Sequence, residues 1–125
     1  MKSKFTHVVR IVLGLILIVF GVNKLYNFIP LPQPPQQAAD FMSSLIETGY
    51  VLPVVAILEI IIGLMLLSRF WVPFALVVLV PLSLNILLFH IFLDVPAIGA
   101  ALVVVALNAI LLYKHRIKYQ PLFTT

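Results

Sequence analysis

VLPVVAILEIIIGLMLL, Val51–Leu67, is apolar at every position but two, Glu59 and Gly63. A run of this length and character predicts a helix buried in a membrane. There a carboxylate costs several kcal/mol by the gentler scales. Glu59 must therefore be paired, be protonated or turn toward a polar interior.

Composition carries the same message outward to the whole chain. Of 125 residues, 63% are hydrophobic and 10% charged, with a mean hydropathy of +1.21. A soluble domain needs about 25% charged residues to keep its surface wet. The chain is expected to be an integral membrane protein with little mass outside the bilayer. Its formal charge of +4 sits near the chain ends, which argues for membrane orientation and against nucleic-acid binding. Cysteine is absent, which excludes a disulfide, a thiol relay carried by this chain and thiolate-ligated haem or clusters.

Three further apolar runs flank the opening one. The first helix is expected over residues 7–28. No small-x-small cleavage site follows its apolar run, so it reads as a retained span and not as a signal peptide. Gly14 and Gly21 lie seven apart on nearly one face and can admit a close neighbour. Residues 29–37, IPLPQPPQQ, form a stiff proline-rich connector with a PxxP spelling through Pro32 and Pro35. Residues 38–48 place Phe41, Met42, Leu45 and Ile46 on one apolar face, as in a short helix lying at the interface or capping the bundle. The opening stretch then spans about residues 50–68, and Arg69 alone separates it from the next run, residues 70–93. Pro81 should bend that helix, gathering Ser83 and Asn85 around the freed Val77 carbonyl. Asp94 is placed to cap the helix of residues 95–113, in which Asn108 is the one strongly polar interior residue. The tail, residues 114–125, is basic and then irregular after Pro121.

Lys2, Lys4 and Arg10, then Arg69, then Lys114, Arg116 and Lys118 all fall on one side if the chain crosses four times. Both termini are then cytoplasmic. The expected fold is all-α: one domain, a polytopic antiparallel four-helix bundle with a short amphipathic helix between its first two spans.

Counting helical rise places the polar residues in depth. Asn85 lies roughly 22 Å and His90 roughly 30 Å from the cytoplasmic end of their helix, and Lys24 roughly 25 Å from Val8. Glu59 lies roughly 14 Å up from Ser68, near the midplane, and Asn108 belongs to a lower level. A Lys24–Glu59 pair is the sharp electrostatic expectation, the lysine stem reaching down across a gap of about 10 Å. Glu59 can alternatively line a small-ligand or quinone pocket, or meet another subunit. His90 suits a quinone oxygen or a carboxylate, and equally a bond to Asp94 four residues on. The candidate ligand-binding set is Lys24, Glu59, Asn85, His90, Asn23 and Tyr26, with no catalytic or metal-ligating set. His7 and His115 lie too near the termini to argue for bis-histidine haem.

RIVLGLILIVFGVNKL at residues 10–25, the P-x-x-x-x-x-E-x-x-x-G-L of residues 53–64 and NILLFHIFLD at residues 85–94 together resemble the DoxX family of small bacterial four-helix membrane proteins. The resemblance implies an inner-membrane location and positions kept polar at Arg10, Lys24, Glu59 and His90. Some relatives are linked to quinone-dependent sulfur oxidation or to membrane-associated oxidoreductase complexes. Two readings follow: a quinone- or small-apolar-ligand-binding subunit of a redox-associated complex, or a non-catalytic assembly or accessory protein. Partners are then the lipid bilayer, a quinone or similar molecule, and further copies of the chain or redox-complex subunits.

Overall fold

A computed structural model describes residues 3–30 and 33–125. Lys2 and Pro32, used above in the charge count and the PxxP spelling, lie outside the described residues. The described chain is all-helical: α1 (Lys4–Tyr26), α2 (Gln36–Glu47), α3 (Val51–Ser68), α4 (Val72–Leu93) and α5 (Gly99–Lys114). A short 3₁₀ turn at Val95–Ala97 precedes α5, and a 3₁₀ segment over Arg116–Phe123 follows it. α1, α3 and α4 are each long and apolar enough to cross a membrane.

α1 starts earlier than expected because Ser3 caps it, the Ser3 hydroxyl accepting from the Thr6 N–H at 3.1 Å. Capping of this kind satisfies a donor with no partner inside the helix. The helix stops at Tyr26. Asn27 takes the left-handed conformation (φ 51°), and its N–H donates to the Asn23 carbonyl.

α1 and α3 run antiparallel along a closely packed seam. Gly14 meets Gly63 and Leu67, and Gly21 meets Ala56 and Ile60. A Cβ at Gly63 would lie 2.7 Å from the Gly14 carbonyl and 2.6 Å from Ile18 Cγ1. The expectation that Gly14 and Gly21 admit a neighbour is met, and Gly63 completes the set. The remaining helices close around this pair, with α4 against α3 and α5 against both α4 and α1. Leu13, Leu17, Ile62, Leu66, Leu76, Leu79 and Leu111 fill the core between them.

The turn from α3 to α4 is Arg69–Trp71, two residues longer than expected. Arg69 (φ 61°) and Trp71 (φ 49°) are both left-handed, which reverses the chain in that short space. Phe70, Trp71 and Phe74 cluster there with exposed rings, as aromatic side chains do at a membrane–water interface.

α2 packs against α3 and α4. Ala38 is buried and Ala39, Met42 and Leu45 are half-buried, whereas Phe41 and Ile46 are exposed. Ala38 is thus the residue that enters the junction fully, and the expected apolar face of Phe41, Met42, Leu45 and Ile46 is covered only in part. Phe41 still touches Phe89 of α4, with ring centroids 5.7 Å apart.

Two expectations for the last helices are corrected. Asp94 makes no side-chain cap on the following segment. Its carbonyl accepts from the Ala97 N–H instead, in the tight 3₁₀ turn begun by Val95-Pro96. Nor is the tail irregular after Pro121, since the 3₁₀ segment runs on to Phe123. Tyr119 folds that segment back under the start of α4 by donating its hydroxyl to the Pro73 carbonyl at 2.8 Å.

Candidate functional site

One face of α1 carries Arg10, Gly14, Leu17, Gly21 and Lys24, spaced alternately by four and three residues. That spacing keeps a single stripe on one side of a helix. The stripe of α3 opposite it is Ala56, Glu59, Gly63 and Leu66, all buried. The seam therefore places one polar residue near each end of the contact, where the glycines bring the backbones together.

At the upper end, Lys24 Nζ donates to Glu59 Oε1 at 2.9 Å. Glu59 is 1% exposed, while the Lys24 side chain retains 28% of its surface. Side chains lean toward the N-terminus of their own helix. In an antiparallel pair Lys24 therefore leans down and Glu59 up, which closes the vertical gap seen in the residue count. The expected pair is formed, and the buried carboxylate is held by a cation whose stem emerges at the edge of the seam.

At the lower end, the Arg10 guanidinium donates through Nη1 to the carbonyls of Leu66 and Leu67, and through Nη2 to His7 Nδ1 at 3.1 Å. The last carbonyls of a helix have no partner inside it, and a cation there also complements the helix dipole. Arg10 is thus the polar clamp between α1 and the C-terminal end of α3. The charge count and the resemblance both singled out Arg10, but neither gave it this role. Its place on the stripe with Gly14 and Gly21 is the signal that could have found it.

The other candidates are arranged differently. Asn23 is buried, and its Oδ1 accepts from the Ile29 N–H at 2.7 Å, fixing the chain as it leaves α1. Tyr26 is exposed. His90 Nδ1 donates to the Asp94 carbonyl at 3.1 Å, and the Asp94 carboxylate lies 4.0 Å from the same nitrogen. The expected bond to the residue four positions on is formed through Nδ1. Asn85 lies on the exposed side of α4, not with Ser83. Two residues along a helix are about 200° apart, so one position faces in and the other out. Among the described residues no hydrogen bond ties Asn85, His90 or Tyr26 to the Lys24–Glu59 pair.

Ser83 instead turns toward α5. Its hydroxyl donates to the Val80 carbonyl at 3.1 Å and accepts from Asn108 Nδ2 at 3.2 Å. Asn108 is therefore not isolated at a lower level, because helix α5 brings it beside Ser83. Its Oδ1 is buried without a hydrogen-bond partner.

A chain of apolar helices with exposed hydrophobic flanks, fastened by a buried ion pair and an arginine clamp, is an all-helical membrane protein. The DoxX family model matches residues 5–91, and the chain belongs to the DoxX family. The matched stretch contains both ends of the α1–α3 seam. No curated protein and no solved structure matches the chain.

Proposed function

We propose that this DoxX-family chain is a four-crossing protein of the bacterial inner membrane that works as a non-catalytic assembly or accessory subunit. The fourth crossing is α5, about 24 Å long, extended by about 6 Å through the preceding 3₁₀ turn. Both termini then face the cytoplasm with the basic residues, in an antiparallel bundle. The observation that carries the functional reading is the outer face of α5. Gly99, Leu102, Val103, Ala106 and Ala109 are all exposed there, and a face rich in small residues lets another helix approach closely in a membrane. The Lys24–Glu59 pair of the seam, by contrast, is already closed within the chain. A second copy or a redox-complex subunit is the kind of partner such a face accepts.

A second reading keeps the quinone or small apolar ligand. It is favoured by Lys24, whose side chain retains 28% of its surface where it emerges from the seam. Native purification with mass analysis of co-purifying proteins, lipids and quinones separates the two. The assembly reading expects a protein recovered at fixed stoichiometry from wild type and lost from Ala106→Trp. It fails if Ala106→Trp retains every partner. A quinone retained by wild type and lost from the Lys24→Met/Glu59→Gln double variant supports the second reading. The crossing number is tested separately with single cysteines, since the chain has none of its own. An impermeant maleimide on intact cells should label Ser44→Cys and spare Gln120→Cys.

A further inference from the structure

A cavity of about 390 Å³ opens at the end of the bundle opposite Lys24 and α2. Its wall is made by α1 (Thr6, His7, Arg10), by the α3–α4 turn (Arg69, Trp71) and start of α4, and by the tail (His115, Lys118). Three permanent cations line it and no carboxylate does. The four acidic residues of the chain, Asp40, Glu47, Glu59 and Asp94, all belong to other regions. Among the described residues neither Arg10, Arg69 nor Lys118 has an ion-pair partner.

Arg10 makes this imbalance significant. It is 7% exposed, and its hydrogen bonds go only to carbonyls and to a histidine ring. Those acceptors orient the guanidinium without neutralising it. Burying a cation without an opposite charge is costly, and an anion in the adjoining cavity removes that cost. His7 accepts from Arg10 at Nδ1, which leaves the ring proton of the neutral imidazole on Nε2 as a donor. Thr6 adds a hydroxyl. The walls come from three separate parts of the chain, and Tyr119 pins the tail that completes them.

We propose that this cavity binds a phosphate group, carried either by an anionic lipid headgroup or by a free phosphate. Arginine forks match phosphate oxygens in geometry and charge, and basic pockets between membrane helices take anionic headgroups. Arg10 is the fixed floor of the site. Arg69 and Lys118, both exposed, close on the anion from the turn and the tail. The site is independent of the α5 face and of the Lys24–Glu59 pair.

The only tryptophan of the chain, Trp71, lies in the wall, so its fluorescence reports occupancy. The full chain in neutral-detergent micelles is titrated with phosphatidylglycerol, with phosphatidylcholine, and with inorganic phosphate against chloride at constant ionic strength. Saturable change with phosphatidylglycerol but not with inorganic phosphate identifies a headgroup site, and saturation with inorganic phosphate identifies a free-anion site. Either supports the proposal provided that Lys118→Gln and Arg69→Gln each weaken it by about tenfold, the scale of one charge-assisted hydrogen bond. Arg116→Gln removes the same charge from an exposed residue outside the wall, stacked on Tyr113, and should bind as wild type does. Lys118 is exposed in the tail, so its variant tests the site even if Arg69→Gln fails to fold. The proposal is overturned if wild type shows no saturable change with either anion. It is equally overturned if phosphatidylcholine acts as phosphatidylglycerol does, or if Arg116→Gln weakens binding as much as Lys118→Gln.

Discussion

Removing Lys24 should cost more than neutralising Glu59, because the two partners are buried to different degrees. Lys24→Met leaves the Glu59 carboxylate, 1% exposed, with no cation inside an apolar seam. Breaking a buried pair in this way costs about 3 to 5 kcal/mol. Glu59→Gln leaves an amide oxygen able to accept from Lys24, whose stem reaches the edge of the seam. The loss is then that of one charge-assisted bond reduced to a neutral acceptor, about 1 kcal/mol. In the double variant no charge is stranded, so much of the lysine penalty is relieved and the pair should couple by about 2 kcal/mol. Equilibrium unfolding in mixed micelles with increasing sodium dodecyl sulfate, followed by far-UV circular dichroism, measures all three variants on one scale. The reasoning is refuted if Lys24→Met costs no more than Glu59→Gln, or if the single effects add to within about 0.5 kcal/mol.

The same assay tests the seam and the α4–α5 contact. Gly63→Ala should destabilise by about 1 to 3 kcal/mol, since the new methyl meets the Gly14 backbone, whereas Gly99→Ala enters open space and should be neutral or slightly stabilising; equal effects would mean the seam is looser than described. Asn108→Leu removes a buried acceptor that has no partner and leaves Ser83 bonded to Val80. It should raise stability by about 1 kcal/mol, and a loss of that size would show that the Ser83–Asn108 bond outweighs the orphaned oxygen. Burial pushes the Tyr119 hydroxyl from 10.0 up to about 12. A folded-state value above the unfolded one means that the docked tail contributes its full stability below pH 10 and loses it as the pH rises toward about 12. Ultraviolet absorbance should show a late-titrating tyrosine component in wild type that Tyr119→Phe removes.

The apolar runs and glycines made the helices and the α1–α3 contact legible, because membrane burial allows few sequence patterns. The Lys24–Glu59 pair was legible for the same reason: a carboxylate in such a run needs a partner, and only one lysine lay at a comparable depth. What escaped was rotation about helix axes. Depth follows from counting residues, but which way Asn85 or Asn108 faces depends on neighbours that the count does not contain. Asn85 fell outside and Asn108 turned to Ser83 once α5 docked on α4. The α3–α4 turn escaped differently. Left-handed conformations at Arg69 and Trp71 are uncommon for such residues, and no glycine announced them.

The division of charge along the chain ties these features together. Every acidic residue lies in the middle of α3 or at the end of the bundle bearing α2 and Asp94, while every Lys and Arg of the described chain except Lys24 lies at the other end. Lys24 is thus the one cation placed where a carboxylate can reach it, and it is the one that forms an ion pair with Glu59. Among the described residues none of the remaining Lys and Arg side chains forms an ion pair. They are met by carbonyl dipoles, as at Arg10, by aromatic faces, as at Lys114 and Arg116, or by anions from outside the chain. With the proposed orientation, a cytoplasmic leaflet rich in anionic lipid would supply such anions at that surface, and the asymmetry that orients the protein would also offer its basic cavity a ligand of opposite charge.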